Sequence, residues 1–178
     1  AARNVVSATL AALLAGCGGS SRSEAPVEDV ARFVDPFIGT LGAGNAIPGP
    51  SLPHGFVKLS PGTNAGAGDI DAYEYANDRI EGFSHTHLEG PGGSYNGYSQ
   101  LLVMPVVGDP GFTEAEYASR FSHASETAEP GYYAVTLDDY GVRAELTATA
   151  RVGVHRYTFP ASDQARLLVD VSHNRGLA

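Results

Sequence analysis

The amino-acid sequence predicts an all-β fold, an antiparallel β-sandwich, on three observations. Glycine (22) and proline (11) are frequent, and no long amphipathic helical pattern appears in the 178 residues. Apolar runs of strand length occur at 56–60 and 101–107, bounded by Gly, Pro and Asp. The strongest periodicity, over 142–154, repeats every second residue, as a half-buried strand does. A hydrophobic content of 43% with 17% charged residues suffices for one domain with a core. The formal net charge is -9, and the 11 Lys and Arg are scattered, which excludes a protein that tracks nucleic-acid phosphates.

From the amino terminus, Arg3 precedes an apolar run over 5–16. That run is shorter than the roughly 20 residues needed to span a bilayer and is of signal-peptide type. It ends in Leu14-Ala15-Gly16-Cys17, which resembles the lipobox of bacterial lipoproteins. On that reading the single cysteine, Cys17, is lipidated and anchors the chain to a membrane of the bacterial cell envelope. An ordinary signal peptide, or a buried helix with an incidental cysteine, is the competing reading. Residues 1–17 are therefore read as a leader, 18–32 as a flexible tether of Gly/Ser type, and 33–178 as the folded domain. The sequence opens without Met and stops just after a strong strand pattern, so truncation at both ends is expected.

Within the folded part, 33–50 reads as loop and short edge strand, because Pro48-Gly49-Pro50 suits no helix. The runs 56–60 and 101–107 read as buried strands, the second with an edge at its end because of Pro105. Thr113-Glu114-Ala115-Glu116 has the capping-box pattern of a short helix. Residues 132–137 form a strand joined to the next by Asp138-Asp139-Tyr140-Gly141, a hairpin loop. In 142–154 even positions are apolar, whereas Tyr157 and Phe159 are odd, so a bulge or break near 153–156 is expected. Residues 167–171 supply a last strand.

The densest chemistry lies in Gly82-Phe83-Ser84-His85-Thr86-His87-Leu88-Glu89-Gly90-Pro91-Gly92-Gly93. His85 and His87 share a face if extended, and in a loop both can reach one ligand. Such a pair either hydrogen-bonds backbone within an ordered loop or contacts a sugar; zinc lacks a third ligand at recognisable spacing. Gly42-Ala43-Gly44-Asn45-Ala46-Ile47 begins like a dinucleotide fingerprint but has Ile47 at the third glycine, so a glycine-rich turn is the better reading. Asp69, Asp71, Glu74 and Asp78 interleave with Tyr73 and Tyr75, a composition that clamps a sugar, forms a solvated loop or makes a calcium-binding turn, although the Asp-x-Asp-x-Asp-Gly spacing of an EF-hand is missing. No catalytic residue is identified, and no Gly-x-Ser-x-Gly elbow occurs.

Several motifs, in fixed order, resemble one family. Val34-Asp35-Pro36-Phe37-Ile38-Gly39-Thr40, Pro48-Gly49, Pro53-His54-Gly55-Phe56-Val57-Lys58-Leu59-Ser60-Pro61 and Ile80-Glu81-Gly82-Phe83-Ser84-His85-Thr86-His87-Leu88 are similar to the N-terminal domain of glycoside hydrolase family 92, bacterial α-mannosidases. Phe121-Ser122-His123, Glu129-Pro130-Gly131-Tyr132-Tyr133 and Arg156-Tyr157-Thr158-Phe159-Pro160 continue the resemblance. It implies a β-sandwich packed on a separate (α/α)-barrel domain that carries the catalytic acid and base and most of a calcium site. It also implies a calcium-dependent, inverting exo-mannosidase acting on mannose-containing glycans, with a water held between two carboxylates. The family's substrate loop corresponds here to Asp69-Ile70-Asp71-Ala72-Tyr73-Glu74-Tyr75, with Ala72 at its usual glycine and no Trp in the chain. Asp71, Tyr73, His85 and His87 are the residues expected to contact substrate or support the pocket, and no metal ligand is assigned. The alternative is a non-catalytic lipoprotein that captures glycans or scaffolds a partner.

Overall fold

The computed structural model describes residues 28–63, 73–88, 99 and 101–173. The lipobox with Cys17, and the tether as far as residue 27, lie outside the described residues. Two antiparallel sheets form the domain, as the all-β reading expects. The first contains β1 (Ser60–Thr63), β2 (Arg79–Ser84), β3 (Leu102–Val107) and, at its far side, β9 (Ala165–Asp170), in the order β1-β2-β3-β9. The two-residue β4 (Ser119–Arg120) also pairs with β2. The second sheet is a meander of β5 (Thr127–Glu129), β6 (Tyr132–Leu137), β7 (Val142–Ala148) and β8 (Gly153–Thr158).

The core lies between the sheets. Leu59, Ile80, Phe83, Met104 and Val106 meet Tyr133, Val135, Leu137, Val142, Ala144 and Leu146, with Tyr117 and Phe121 closing one side. Each Val, Leu, Ile, Phe or Met side chain among them stabilises the fold by about 1.5–3 kcal/mol when fully buried. The alternation read in β7 is real: Val142, Ala144 and Leu146 are buried, while Thr147 is exposed. On the outer face, Glu145 accepts hydrogen bonds from Tyr132 Oη at 2.7 Å and Arg156 Nε at 2.6 Å. The guanidinium, with Tyr132, holds the Glu145 carboxyl down to about 2.

The hairpin at 138–141 forms as expected, with Gly141 in the left-handed region at φ 63°. The helix forms too: α1 (Glu114–Tyr117) is capped by Glu116, whose carboxylate accepts from the Thr113 backbone N–H at 3.0 Å.

Three expectations are corrected. The pattern at 142–154 is two strands, because β7 ends at Ala148 and reverses into β8. Thr149 causes the reversal: its Oγ1 accepts from the N–H groups of Val152 (3.1 Å) and Arg151 (3.4 Å), while its own N–H donates to the Val152 carbonyl at 2.8 Å. The phase flip is therefore a hairpin rather than a bulge. Residues 56–60 are not a strand; Lys58 makes a lone bridge to Ser51, and Phe56 is 86% exposed. The strand begins at Ser60 and runs through Pro61, which an edge strand tolerates.

Among the described residues no strand forms in 33–50, because Asp35 accepts from the Phe37 N–H at 2.9 Å and turns the chain at once. The edge expected at the end of 101–107 is present on one side: β3 pairs with β9 along its whole length but with β2 only at Phe83↔Val103, so Pro105 lies beyond the last pair on the β2 side. Gly49 explains the Pro-Gly-Pro segment. A Cβ there would sit 1.9 Å from the Leu59 carbonyl oxygen, so only glycine lets this loop lie against the entry to β1.

Candidate functional site

β2 delivers the histidine motif to one end of the sandwich, where the loop 51–58 and the β7–β8 turn meet it. His87 turns inward and is 3% exposed. Its Nδ1 donates to the Lys58 carbonyl at 2.7 Å, which leaves Nε2 to face the Ser84 hydroxyl at 3.5 Å. The backbone reinforces that tie, since the Lys58 N–H donates to the His85 carbonyl at 2.9 Å.

His85 turns the other way, toward β8. Its Nε2 lies 3.1 Å from Nε2 of His155, with ring centroids 4.8 Å apart. His155 Nδ1 is in turn 2.7 Å from the Tyr157 hydroxyl. With Tyr157 donating, His155 holds its proton on Nε2 and donates to His85, whose Nδ1–H then points away from the pair. Burial lowers the His85 pKa, and burial together with the neighbouring His85 lowers that of His155 to about 4. Burial pushes the Tyr157 hydroxyl upward, so both rings are neutral and the phenol protonated at pH 7. Gly153 makes the contact possible, because a Cβ there would lie 2.5 Å from His85 Cδ2. Above this pair opens a recess of about 420 Å³ lined by Phe56, Val57, His85, Thr86 and Arg151. An exposed aromatic ring, a guanidinium and imidazole nitrogen are groups that hold a hydroxylated ring by stacking and hydrogen bonds.

Tyr73 belongs to a different network. It is 1% exposed, and its hydroxyl donates at 2.9 Å to Oε1 of Glu126, which also accepts from Tyr133 at 2.6 Å. The Glu126 side chain is fully buried, and its Oε2 meets His123 Nδ1 at 2.6 Å. His123 Nε2 reaches the Tyr75 carbonyl at 2.8 Å, and the two rings stack with centroids 3.9 Å apart. Burial, with the Glu126 carboxylate, raises both Tyr73 and Tyr133. Glu74 accepts from the Gly42 N–H at 3.0 Å, so it ties the glycine-rich turn to this loop. The network thus fixes the carboxyl end of the segment that holds Asp71, which itself lies outside the described residues.

The expected site residues therefore separate. His85 lies at a recess, whereas His87 and Tyr73 are buried in hydrogen-bonded ties. Sequence reasoning did not single out His155, Tyr157, Glu126, Arg151 or Phe56. The odd phase of His155 and Tyr157 in β8 was the one local signal, since it places both inward. For calcium, which takes 6–8 oxygens, the described residues offer no matching cage. Their one group of three such side chains, Glu81, Glu114 and His173, includes a nitrogen donor.

Comparison with known proteins fits this architecture. The model of the glycosyl hydrolase family 92 N-terminal domain matches residues 33–177. A family 92 α-mannosidase from Bacteroides thetaiotaomicron, solved in complex with mannoimidazole, is 40% identical with a TM-score of 0.74 over 82% of this chain and 20% of its own. A family 92 inverting mannosidase from the same organism is 30% identical with a TM-score of 0.63 over 78% of this chain and 19% of its own. An uncharacterized secreted glycosidase from Arthroderma benhamiae is 33% identical over 137 residues, 74% of this chain and 18% of that protein. The chain thus spans about a fifth of the length of the relatives it matches. With a family-specific match over nearly all of its folded part, the chain belongs to glycosyl hydrolase family 92, as its N-terminal domain.

Proposed function

We propose that this chain is the front part of an exported, exo-acting, inverting α-mannosidase that removes α-linked mannose from glycans. The observation that carries this reading is the 40% identity to an α-mannosidase solved in complex with mannoimidazole, over 82% of this chain. The relative named an inverting mannosidase supports inversion, and the secreted relative supports export. Hydrolysis with inversion needs two carboxylates roughly 6.5–9.5 Å apart. Those two groups, and calcium with its ligands, belong on this reading to an (α/α)-barrel domain beyond the present chain, so the chain alone is inactive.

The contribution of this domain is to shape the pocket. On this reading the sugar contacts are His85, on the open side of its pair with His155, and Asp71. Tyr73, through Glu126, and His87, through Lys58, hold the loops that carry them. Cys17 anchors the enzyme to the cell envelope through a lipid.

The test is hydrolysis of α-linked mannobioses by the full-length protein and by His85→Ala. The expected result is a kcat/KM reduced by about 10-fold or more at unchanged stability, the cost of removing one substrate contact. An unchanged kcat/KM removes His85 from the pocket. A full-length protein that binds mannosides without cleaving them would favour the glycan-capturing alternative. For the anchor, palmitate labelling of the expressed protein is expected and is lost in Cys17→Ser.

A further inference from the structure

We propose that His123 is the positioning residue of the loop at 73–75, and that it holds this loop only while the His123–Glu126 pair carries one proton more than a neutral ring and a carboxylate. The local fold sets the pair up. Ser122 Oγ accepts from the Ala124 N–H at 3.2 Å and starts a single 3₁₀ turn, His123–Ser125, after which the Glu126 side chain comes beside the His123 ring. His123 Nδ1 lies 2.6 Å from Glu126 Oε2, and its Nε2 lies 2.8 Å from the Tyr75 carbonyl oxygen. The other carboxylate oxygen, Oε1, already accepts from the Tyr73 and Tyr133 hydroxyls. One imidazole therefore bridges a buried carboxylate and the backbone of the loop.

Matching donors to acceptors gives the proton. A carbonyl oxygen has no hydrogen to give, so Nε2 carries one. A carboxyl oxygen 2.6 Å from Nδ1 needs a hydrogen between them as well, on the ring or on the acid. Either placement leaves the same count, one proton above a neutral imidazole beside an ionised Glu126. The Tyr75 ring stacks on His123 with planes 10° apart, an arrangement in which an aromatic face attracts a positive ring. When the proton leaves, one tie fails: either Nε2 turns a lone pair on the Tyr75 carbonyl, or Nδ1 turns one on a buried carboxylate. The His123 side chain is 33% exposed, so water can take the proton. Around the pair stand Tyr73, Glu74 and Tyr75 of the loop, Tyr133 of β6, and Arg143 of β7, whose Nη1 donates to the Ser125 carbonyl at 2.6 Å. Burial and the Glu126 carboxylate hold the Tyr73 and Tyr133 hydroxyls upward, so neither phenol supplies a change near neutral pH. Only the step from loop to sugar rests on the mannosidase reading, which puts this loop at the substrate.

The experiment is amide hydrogen exchange of the full-length protein, read by mass spectrometry at about pH 6 and about pH 9 and corrected for the intrinsic exchange rate. The reporter is the peptide around Tyr75, whose N–H donates to the Thr40 carbonyl at 2.8 Å. In the wild type its protection should fall by about 10-fold or more at the higher pH, the effect of losing one hydrogen bond to a charged group, while β6 stays protected. Glu126→Gln should keep the acid-side protection at both pH values, because a carboxamide NH₂ donates to Nδ1 and lets the neutral ring keep its Nε2–H on Tyr75. His123→Gln should be poorly protected at both. On α-linked mannobioses, KM should rise as protection falls, by a similar factor. Wild-type protection that ignores pH would overturn the proposal, as would an alkaline loss that persists in Glu126→Gln, or a loss at both pH values in that variant, which would make Glu126 a buried charge and nothing more. A KM that does not follow protection would overturn the positioning role. If His123→Gln does not fold, the wild type and Glu126→Gln still decide the matter. Exchange needs no substrate, so it is readable in a protein that cleaves no mannoside, and a flat pH response leaves the mannosidase reading standing.

Discussion

His85 shows how one side chain depends on a neighbour that has none. Gly153→Ala puts a methyl 2.5 Å from His85 Cδ2 and 2.8 Å from Nε2, and should cost about 1–3 kcal/mol in urea unfolding. Adding His85→Ala should recover much of that loss, since the two substitutions share one contact. Strict additivity in the cycle would mean that the ring and the glycine are not coupled. The same pair sets a pH response. His155 is folded at a pKa near 4 against an ordinary value of 6.5, so the unfolded chain binds the proton first. Its contribution is intact above pH 6.5 and is lost as pH falls from 6.5 toward about 4. Urea midpoints at pH 7 and pH 5 should therefore drop less in His155→Gln than in the wild type; an equal drop assigns the acid sensitivity elsewhere.

Among elements, the turn between β7 and β8 and the buried Glu126 network show what was and was not legible. The alternation of 142–148 was readable because one sheet face is wet, and the hairpin at 138–141 because Gly141 supplies a positive φ. The second hairpin was not, since Thr149-Ala150-Arg151-Val152 contains neither Gly nor Pro and works through a threonine hydroxyl. Thr149→Ala should cost about 1 kcal/mol, the typical worth of such local hydrogen bonds, as a lowered urea midpoint at unchanged slope. Glu126 was invisible for a different reason: although His123 is only three residues away, Tyr73 and Tyr133 reach the same carboxylate only once the loop and β6 have packed. Glu126→Ala strands two buried phenols and a ring nitrogen, and should cost about 3 kcal/mol. A loss below 1 kcal/mol would show that the network is not part of the fold's stability.

For the molecule as a whole, fold class and family were legible because ordered motifs and period-two patterns are properties of the chain itself. Sheet order was not, since β9 joins β3 across the intervening strands β4 to β8. On β9 and just after it the surface carries Leu167, Val169 and Val171 at 55%, 51% and 77% exposure, the apolar edge expected where more protein packs in a chain spanning a fifth of its relatives. The activity proposed here belongs to that larger protein. It is decided by following mannobiose hydrolysis by the full-length enzyme with proton NMR, reading the anomeric signal before mutarotation. β-Mannose appearing first is the expected result; α-mannose first, or no mannose at all across the α-linked isomers, contradicts an inverting α-mannosidase.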